Sequence, residues 1–187
     1  AKKDSEASAE QAKALEIQLR GIGRYAVSAV CRHRLLSEHF GAVYPPDGVV
    51  PPGGCGACDV CLDETRSQPA DEALLTAQKI LSAVWRAEGR FGAGYVTDLL
   101  IGKTDERMAR NGHDELKVFG LLKDAGRTAV RTWIAQLLVQ GFIHVHEEAD
   151  YPLVEITDEG RGLCKGVGVV RLGLPVAGAA ALNAGSR

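Results

Sequence analysis

Aromatic residues and long apolar runs are scarce in this chain of 187 residues. Phe, Trp and Tyr together make up 5% of the chain, and methionine occurs once. No stretch reaches the roughly 18 consecutive apolar residues that a membrane-spanning helix requires. The opening stretch, AKKDSEASAE, also lacks the apolar core of a secretory signal. These absences predict a globular, cytoplasmic protein with no membrane partner, whose small modules have few large side chains to bury.

The chain also lacks the excess of basic residues that marks many nucleic-acid-binding proteins. Its formal charge is −2 and its isoelectric point is about 6.2. The two signs are unevenly distributed, because residues 37–75 hold one basic and seven acidic side chains, whereas residues 76–134 hold ten basic and seven acidic ones. Since a partner responds to the local potential, a positive face on the second segment is compatible with nucleic-acid binding.

The chain contains five cysteines, and three of them form the cluster Cys55-Gly-Ala-Cys58-Asp-Val-Cys61. In a reducing compartment, such a cluster indicates metal binding rather than disulfides. These three thiolates can converge on one ion at about 2.3 Å, and a structural zinc site needs a fourth ligand. Cys31 is the available thiol, across a Gly- and Pro-rich loop, whereas Cys164 lies far away. A closed site of four cysteines stabilises the fold and does not catalyse.

Other interpretations of the cysteine cluster are open at this stage. An iron–sulfur cluster of the ferredoxin type would require a further cysteine at the position of Thr65. A thioredoxin-like redox pair would leave the third thiol without a role. His33 or His39 could replace Cys31 as the fourth zinc ligand.

The spacing of apolar residues divides the chain into segments. Helical spacing between positions 8 and 39, interrupted at 21–23, predicts a helical hairpin that ends at Gly41. Residues 41–54 contain four Gly and four Pro and therefore form a loop. We predict a helical zinc-binding module at 1–66, a linker at 67–73, a second domain at 74–166, and a flexible tail or linker at 167–187.

The second domain has the element order of a winged helix. An amphipathic helix comes first, followed by a short extended piece at 94–96 and a short helix at 97–101. Thr128 is positioned to cap a further helix. Two β-rich runs then flank a polar tip, and a short helix is expected near 158–165. The predicted fold class is α+β and mainly helical, with a helical-hairpin zinc-binding module before a winged-helix domain whose β-hairpin is the wing.

Four segments together carry a family resemblance: CRHRLLSEHFG, CGACDVCLDE, RFGAGYVTDLLIGK and NGHDELKVFGLLKD. In this order they resemble the zinc-binding and winged-helix (RQC) modules of RecQ DNA helicases, over roughly residues 21–165. The loop before Cys55 is longer than in bacterial members. The resemblance implies that Cys31, Cys55, Cys58 and Cys61 bind structural zinc. It also implies a non-catalytic part of an ATP-dependent 3′-to-5′ DNA helicase, acting in repair, recombination and replication at the bacterial nucleoid.

The same resemblance implies partners outside this segment. Two helicase lobes that bind ATP and Mg would precede it, and a further DNA-binding domain would follow the tail. A phosphate-binding loop requires Gly-x-x-x-x-Gly-Lys-Ser/Thr. Gly102-Lys103-Thr104 matches only the end of that motif, because Thr97 stands where the first glycine is required. We therefore expect this segment to bind no ATP and to catalyse no reaction.

For DNA, the family implies that the winged helix holds double-stranded or forked DNA beside the unwinding junction. Phosphate contacts come from basic side chains, small hydroxyls and helix N-termini. The candidates are Arg90, Lys103, Arg107, Lys117, Arg127, Thr128 and Arg131. At the wing tip, Tyr151 could stack on the terminal base pair, a contact of about 1–3 kcal/mol, or pack at the root of the turn among its acidic neighbours. His113 is expected to make a structural hydrogen bond.

Two other functions fit the same elements. In a free-standing transcription factor, the helix at 128–139 would enter the major groove, where Arg127, Arg131 and Gln136 could contact bases. In a protein-docking module, the zinc-binding and winged-helix folds would serve only as surfaces. The weak net charge favours docking slightly, and that function predicts negligible DNA affinity at physiological salt.

Overall fold

The computed structural model describes residues 2–45, 54–146 and 152–174. The helices in these ranges are α1 (Lys2–Val27), α2 (Arg32–His39), α3 (Ala70–Arg86), α4 (Ala93–Ile101), α5 (Glu106–Arg110), α6 (Gly126–Val139) and α7 (Asp158–Cys164). The antiparallel strands are β1 (Ile143–His146) and β2 (Leu153–Ile156). No helix in the described ranges is both long and apolar enough to cross a membrane. The predicted mainly helical α+β class is confirmed.

The first module consists of α1, α2 and the cysteine-bearing turn that follows. The predicted interruption at 21–23 is wrong, since α1 continues to Val27 with open space around both glycines. The chain breaks instead at residues 28–31, where Ser28 and Ala29 are buried. Among the described residues of this module, the other buried apolar side chains are Pro45, Cys58 and Val60. So small an interior cannot hold a module together without an additional constraint.

The second domain has a continuous apolar core. The buried face of α3 follows helical spacing, and α4, α6, α7 and the sheet contribute the rest. Side chains with less than 2% exposure include Ile80, Leu81, Leu99, Leu100, Met108, Val130, Leu137, Val154, Leu163 and Leu172. The domain therefore has the core that the first module lacks.

Two local predictions in this domain are wrong. Residues 94–96 are not extended, because α4 begins at Ala93 and buries Val96, Leu99 and Leu100 at helical spacing. Thr128 does not cap α6, because the helix begins at Gly126. A 3₁₀ turn at Lys123–Ala125 leads directly into the helix and places Thr128 inside its first turn, exposed to solvent.

The hairpin and the closing helix follow the prediction more closely. Ile143 pairs with Ile156 and Val145 with Val154, so that alternate residues face the core. The polar tip, including Tyr151, lies outside the described residues. Helix α7 is found where a short helix was expected, and Thr157 caps it by accepting a hydrogen bond from Gly160 N at 3.1 Å.

Residues 170–174, which we term the strap, lie in the predicted flexible tail but pack on the second domain. Val170 and Leu172 are buried. Gln68 N donates to Leu172 O at 2.8 Å, and Leu174 N donates to Arg66 O at 2.7 Å. The predicted linker at 67–73 also holds the start of α3. The segment just before α3 and the strap are thus paired with each other.

Gly160 provides a test of how α7 packs on the sheet. A Cβ at this position would lie 2.2 Å from Phe142 O and 2.8 Å from Ile156 Cγ1. We expect Gly160→Ala to lower the free energy of unfolding by about 3 kcal/mol through overpacking, measured by denaturant titration with Trp fluorescence.

Gly162→Ala on the same helix is the matched control, because its nearest neighbour would be 3.7 Å away. Its stability should be unchanged or higher by up to about 1 kcal/mol, since Ala favours helix over Gly. An equal loss in both variants would contradict the close packing of α7 on the sheet.

Candidate metal centre and nucleic-acid interface

Four cysteine sulfurs meet between the start of α2 and the turn at residues 55–61. The Sγ atoms of Cys31, Cys55, Cys58 and Cys61 all lie within 4.8 Å of one another. Four thiolates around a tetrahedral zinc at 2.3 Å would lie about 3.8 Å apart. The donor set and its spacing therefore fit zinc with only small side-chain movements.

Backbone amides surround these sulfurs. Cys58 N donates to Cys55 Sγ at 3.3 Å, Cys61 N to Cys58 Sγ at 3.4 Å, and Cys55 N to Cys61 Sγ at 3.4 Å. Gly54 makes this turn possible, since its φ is +78° and a Cβ would lie 2.3 Å from Cys61 Sγ. Such N–H groups orient thiolate ligands and stabilise their charge.

The thiols occupy unequal environments. A hydrogen bond with His33, followed by backbone N–H bonds from Ala57 and Cys58, lowers the pKa of Cys55 to about 5. Burial raises the pKa of Cys61 to about 12. A divalent cation is what would allow all the sulfurs of so tight a group to ionise together.

The structure favours Cys31 over both histidines as the fourth donor. In the described ranges, the one group of donor atoms close enough to share an ion consists of the four cysteines. His33 lies beside the group, with its ring stacked against Tyr44 at 6.1 Å. His39 instead packs edge-on against Phe40 at 5.1 Å. Cys164 is on α7, in the other domain.

Arg32, which sequence reasoning missed, joins the cysteine turn to both helices. Its guanidinium bonds both carboxylate oxygens of Asp59, at 2.9 and 3.0 Å, and also donates to Tyr25 O at the end of α1. The only sequence signal was position, because Arg32 directly follows Cys31 and Asp59 directly follows Cys58.

The same ion pair has a defined pH dependence. The hydrogen bond from Arg32 holds the pKa of Asp59 below its usual value. The pair therefore contributes stability above the ordinary aspartate pKa of about 3.9, and it loses this contribution only as the pH falls through the lowered folded value.

An aromatic stack supports one of the predicted DNA-binding arginines. Phe91 and Tyr95 stack with centroids 4.0 Å apart, and the Arg107 guanidinium lies 4.7 Å from the Phe91 ring and 5.7 Å from the Tyr95 ring. Tyr95 Oη lies 2.8 Å from Nδ1 of the buried His113. His113 thus has a structural hydrogen bond, and burial lowers its pKa.

A second group of basic residues lies near Asp98, which is on α4 together with Tyr95. Arg127, in the first turn of α6, forms an ion pair with Asp98. Arg131 lies one turn further along α6 and is half-buried, and burial together with the charge of Arg127 lowers its pKa. Lys103 follows α4 and donates its backbone N–H to Asp98 O at 2.9 Å.

These two groups share one side of α4, because Tyr95 and Asp98 are one helical turn apart. We term this surface the α4 face, defined by Lys103, Arg107, Arg127 and Arg131. The structure thus places Arg107 beside Tyr95, and Arg127 and Arg131 near Asp98 one turn further along α4, whereas Lys103 is linked to Asp98 through its backbone. The pairing of Asp98 with Arg127 has no local sequence signal.

The remaining candidates are more scattered. Arg90 forms an ion pair with Glu88 of its own loop at 2.5 Å. Lys117 and Thr128 are exposed, and Thr128 adjoins Arg127. Gln136 is only 3% exposed, so it cannot reach bases as the transcription-factor alternative requires.

The Arg32–Asp59 pair can be tested with a double-mutant cycle. We expect Asp59→Asn to cost about 1 kcal/mol, and Arg32→Gln about 2 kcal/mol because it also leaves the Tyr25 carbonyl unpaired. The coupling energy should be about 1 kcal/mol, measured from unfolding of the zinc-loaded chain at pH 7 by circular dichroism.

Arg34→Gln is the control, since Arg34 pairs with Glu38 in an exposed position on α2. It should cost less than about 0.5 kcal/mol. Coupling near zero between positions 32 and 59 would show that the pair does not join the module.

Two family models match this chain along its length. Residues 2–62 match the model described as RecQ zinc-binding, and residues 71–180 match the RQC domain. The division between them falls where the cysteine-bearing turn gives way to α3.

Individual relatives agree with this match. The chain is 29% identical to the ATP-dependent DNA helicase RecQ of Pasteurella multocida over 85% of its own length and 24% of that protein. It is 29% identical to the protein of the same name from Haemophilus influenzae, over 84% of its own length and 24% of that protein. It is 27% identical to the ATP-dependent DNA helicase RecQ of Bacillus subtilis, over 80% of its own length and 23% of that protein. The chain thus spans about a quarter of the length of these relatives. It belongs to the RecQ helicase family and comprises a carboxy-terminal region of that family, with its zinc-binding and RQC modules.

Proposed function

We propose that this region is the non-catalytic, zinc-stabilised part of an ATP-dependent 3′-to-5′ DNA helicase and that it holds duplex or forked DNA. The observation that carries the proposal is the gathering of Lys103, Arg107, Arg127 and Arg131 on the α4 face. ATP and Mg would bind to the helicase lobes, and the whole enzyme would act in DNA repair, recombination and replication in the cytoplasm.

The chemistry of the α4 face suits phosphate. Arginine binds phosphate oxygens through several N–H groups at once, and lysine does so as a point charge. The first turn of α6 adds the Thr128 hydroxyl and the positive end of the helix dipole, which favour anions. Contacts of this kind set the position of a duplex without reading its sequence, which suits a helicase better than a transcription factor.

Asp98 limits how strongly this face binds DNA. It occupies Arg127 and places a negative charge among the basic residues. A phosphate reaching Arg127 would have to compete with this carboxylate. The net positive potential therefore stays modest, which suits a surface that must release the duplex as it is unwound.

Zinc would be held by Cys31, Cys55, Cys58 and Cys61. With four protein ligands the ion has no open coordination position, so it would supply structural stability. The need for it follows from the small interior of the first module.

The helicase lobes are the partner we propose for α1. This helix exposes Leu15, Leu19 and Ile22, each by more than half of its surface, on one stripe at four- and three-residue spacing. A stripe of this kind supports a contact with another apolar surface, and this chain covers only about a quarter of the matched relatives.

DNA binding by the α4 face can be tested with charge changes of both signs. We expect Arg127→Ala with Arg131→Ala to weaken binding to a labelled forked duplex at least tenfold at low salt. The slope of log affinity against log salt should become shallower by about 0.9 for each phosphate that is no longer neutralised. Asp98→Asn should instead strengthen binding severalfold, because it releases Arg127. Fluorescence anisotropy across a salt series measures both effects.

The control removes the same amount of charge elsewhere. Arg20→Ala with Arg34→Ala removes two exposed arginines of the first module and should change affinity much less. No binding of the zinc-loaded chain at low salt would favour a docking module. Equal weakening in both double variants would show that the α4 face is not the DNA-binding surface.

Removal of zinc should unfold the first module and spare the second. We expect one zinc per chain by elemental analysis, and Cys31→Ser, Cys55→Ser, Cys58→Ser or Cys61→Ser should each lower this content. A strong chelator should reduce the helical signal in circular dichroism while Trp emission changes little, since Trp85 and Trp133 both lie in the second domain.

Cys164→Ser is the matched control and should keep its zinc. Zinc content that is unchanged in the Cys31 variant would show that another group, such as His33, is the fourth ligand.

A further inference from the structure

We infer that Gln136 on α6 fixes the first module against the helix that carries Arg127 and Arg131, so that both parts of the region meet DNA as one rigid unit. The DNA-facing role of α6 rests on the proposed function, whereas the rigidity of the connection does not. Hydrogen bonds made by one buried amide carry this inference.

Both ends of the Gln136 amide are used. Its Nε2 donates to Val27 O at 2.7 Å, and its Oε1 accepts from Gly173 N at 3.0 Å. Val27 is the last residue of α1, where a helix leaves carbonyl groups without intrahelical partners. The side chain therefore joins the end of α1 to the strap through the middle of α6.

Other side chains on the same side of α6 hold the strap in place. Trp133 Nε1 donates to Gly173 O at 3.0 Å. Gln140 makes two hydrogen bonds to the backbone of Arg171. Gln140 Nε2 donates to Arg171 O at 2.8 Å, and Arg171 N donates to Gln140 Oε1 at 3.0 Å. Positions 133, 136 and 140 are three and four residues apart, so they share one face of the helix. That face is committed to α1 and the strap.

Burial makes the Gln136 connection rigid. The side chain is 3% exposed, so water cannot easily replace a missing partner. An amide with both its donor and its acceptor engaged has one favourable orientation, and breaking either bond leaves a buried polar group unsatisfied. Ser28 and Ala29, which follow Val27, are buried as well and reduce the freedom of the junction further.

The consequence is geometric. Arg127 lies nine residues before Gln136 on the same helix, which places the end of α1 about 13 Å along the axis from the phosphate-binding end. The first module is thus held at a constant distance from the α4 face.

The test is ¹⁵N relaxation of the zinc-loaded chain, which reports how each part tumbles. Wild type should show one rotational correlation time for both modules. Gln136→Leu should split it in two, with the shorter time for α1, α2 and the cysteine turn. Gln140→Leu is the matched control, because the side-chain hydrogen bonds of Gln140 go to Arg171 of the strap and to Gln136 O, and this variant should keep the single correlation time.

A second variant covers the case in which Gln136→Leu does not fold. Gln136→Met keeps the length of the side chain but has no amide to donate to Val27 O or to accept from Gly173 N, so it should also lose the common correlation time. Two different correlation times in the wild-type chain would overturn the inference. A single correlation time in both Gln136 variants, with zinc retained, would also overturn it. Because no DNA is present, these outcomes are independent of whether the α4 face binds a duplex.

Discussion

The first module depends on four sulfur atoms that lie within 4.8 Å of one another. Its apolar interior is too small to hold its helices and the cysteine turn together. In the described part of the chain, α2 has no buried residue and α1 is followed by the buried Ser28 and Ala29, and the turn at 55–61 is short. Thiol convergence, backbone N–H groups directed at the sulfurs and the Arg32–Asp59 pair replace a core here. Sulfur clustering and electrostatic interactions thus perform in this module what hydrophobic packing performs in the winged helix.

Helix α6 makes different contacts on two of its faces. Its N-terminal turns carry the exposed Arg127 and the half-buried Arg131 beside α4. The other end of the helix contributes Gln136 to the junction with α1 and the strap. The helical period separates these roles, since residues on different faces of one rigid element cannot exchange partners. Both kinds of contact can therefore be close in sequence without interfering.

Particular residues show how far sequence reasoning reaches. The cysteine spacing, the amphipathic stripe of α3 and the closing helix near 158–165 are local patterns, and the structure follows them. The short strand at 94–96 and the cap at Thr128 are wrong because burial of Val96 and the 3₁₀ turn before α6 override local propensity. Asp98 beside Arg127 and Arg32 beside Asp59 join residues that are distant along the chain, and no periodicity marks such pairs.

The sequence by itself determined the composition of the sulfur cluster, the positions of α3, α7 and the β-hairpin, and the family to which the chain belongs. These are properties of short segments, where residue type and spacing carry the information. Only the tertiary structure decided that the strap packs on the second domain and that Gln136 joins it to α1, because buried amides choose partners by proximity after the chain has folded. It also decided how much of the positive charge of the α4 face Asp98 offsets, since that depends on which side chains meet across two helices.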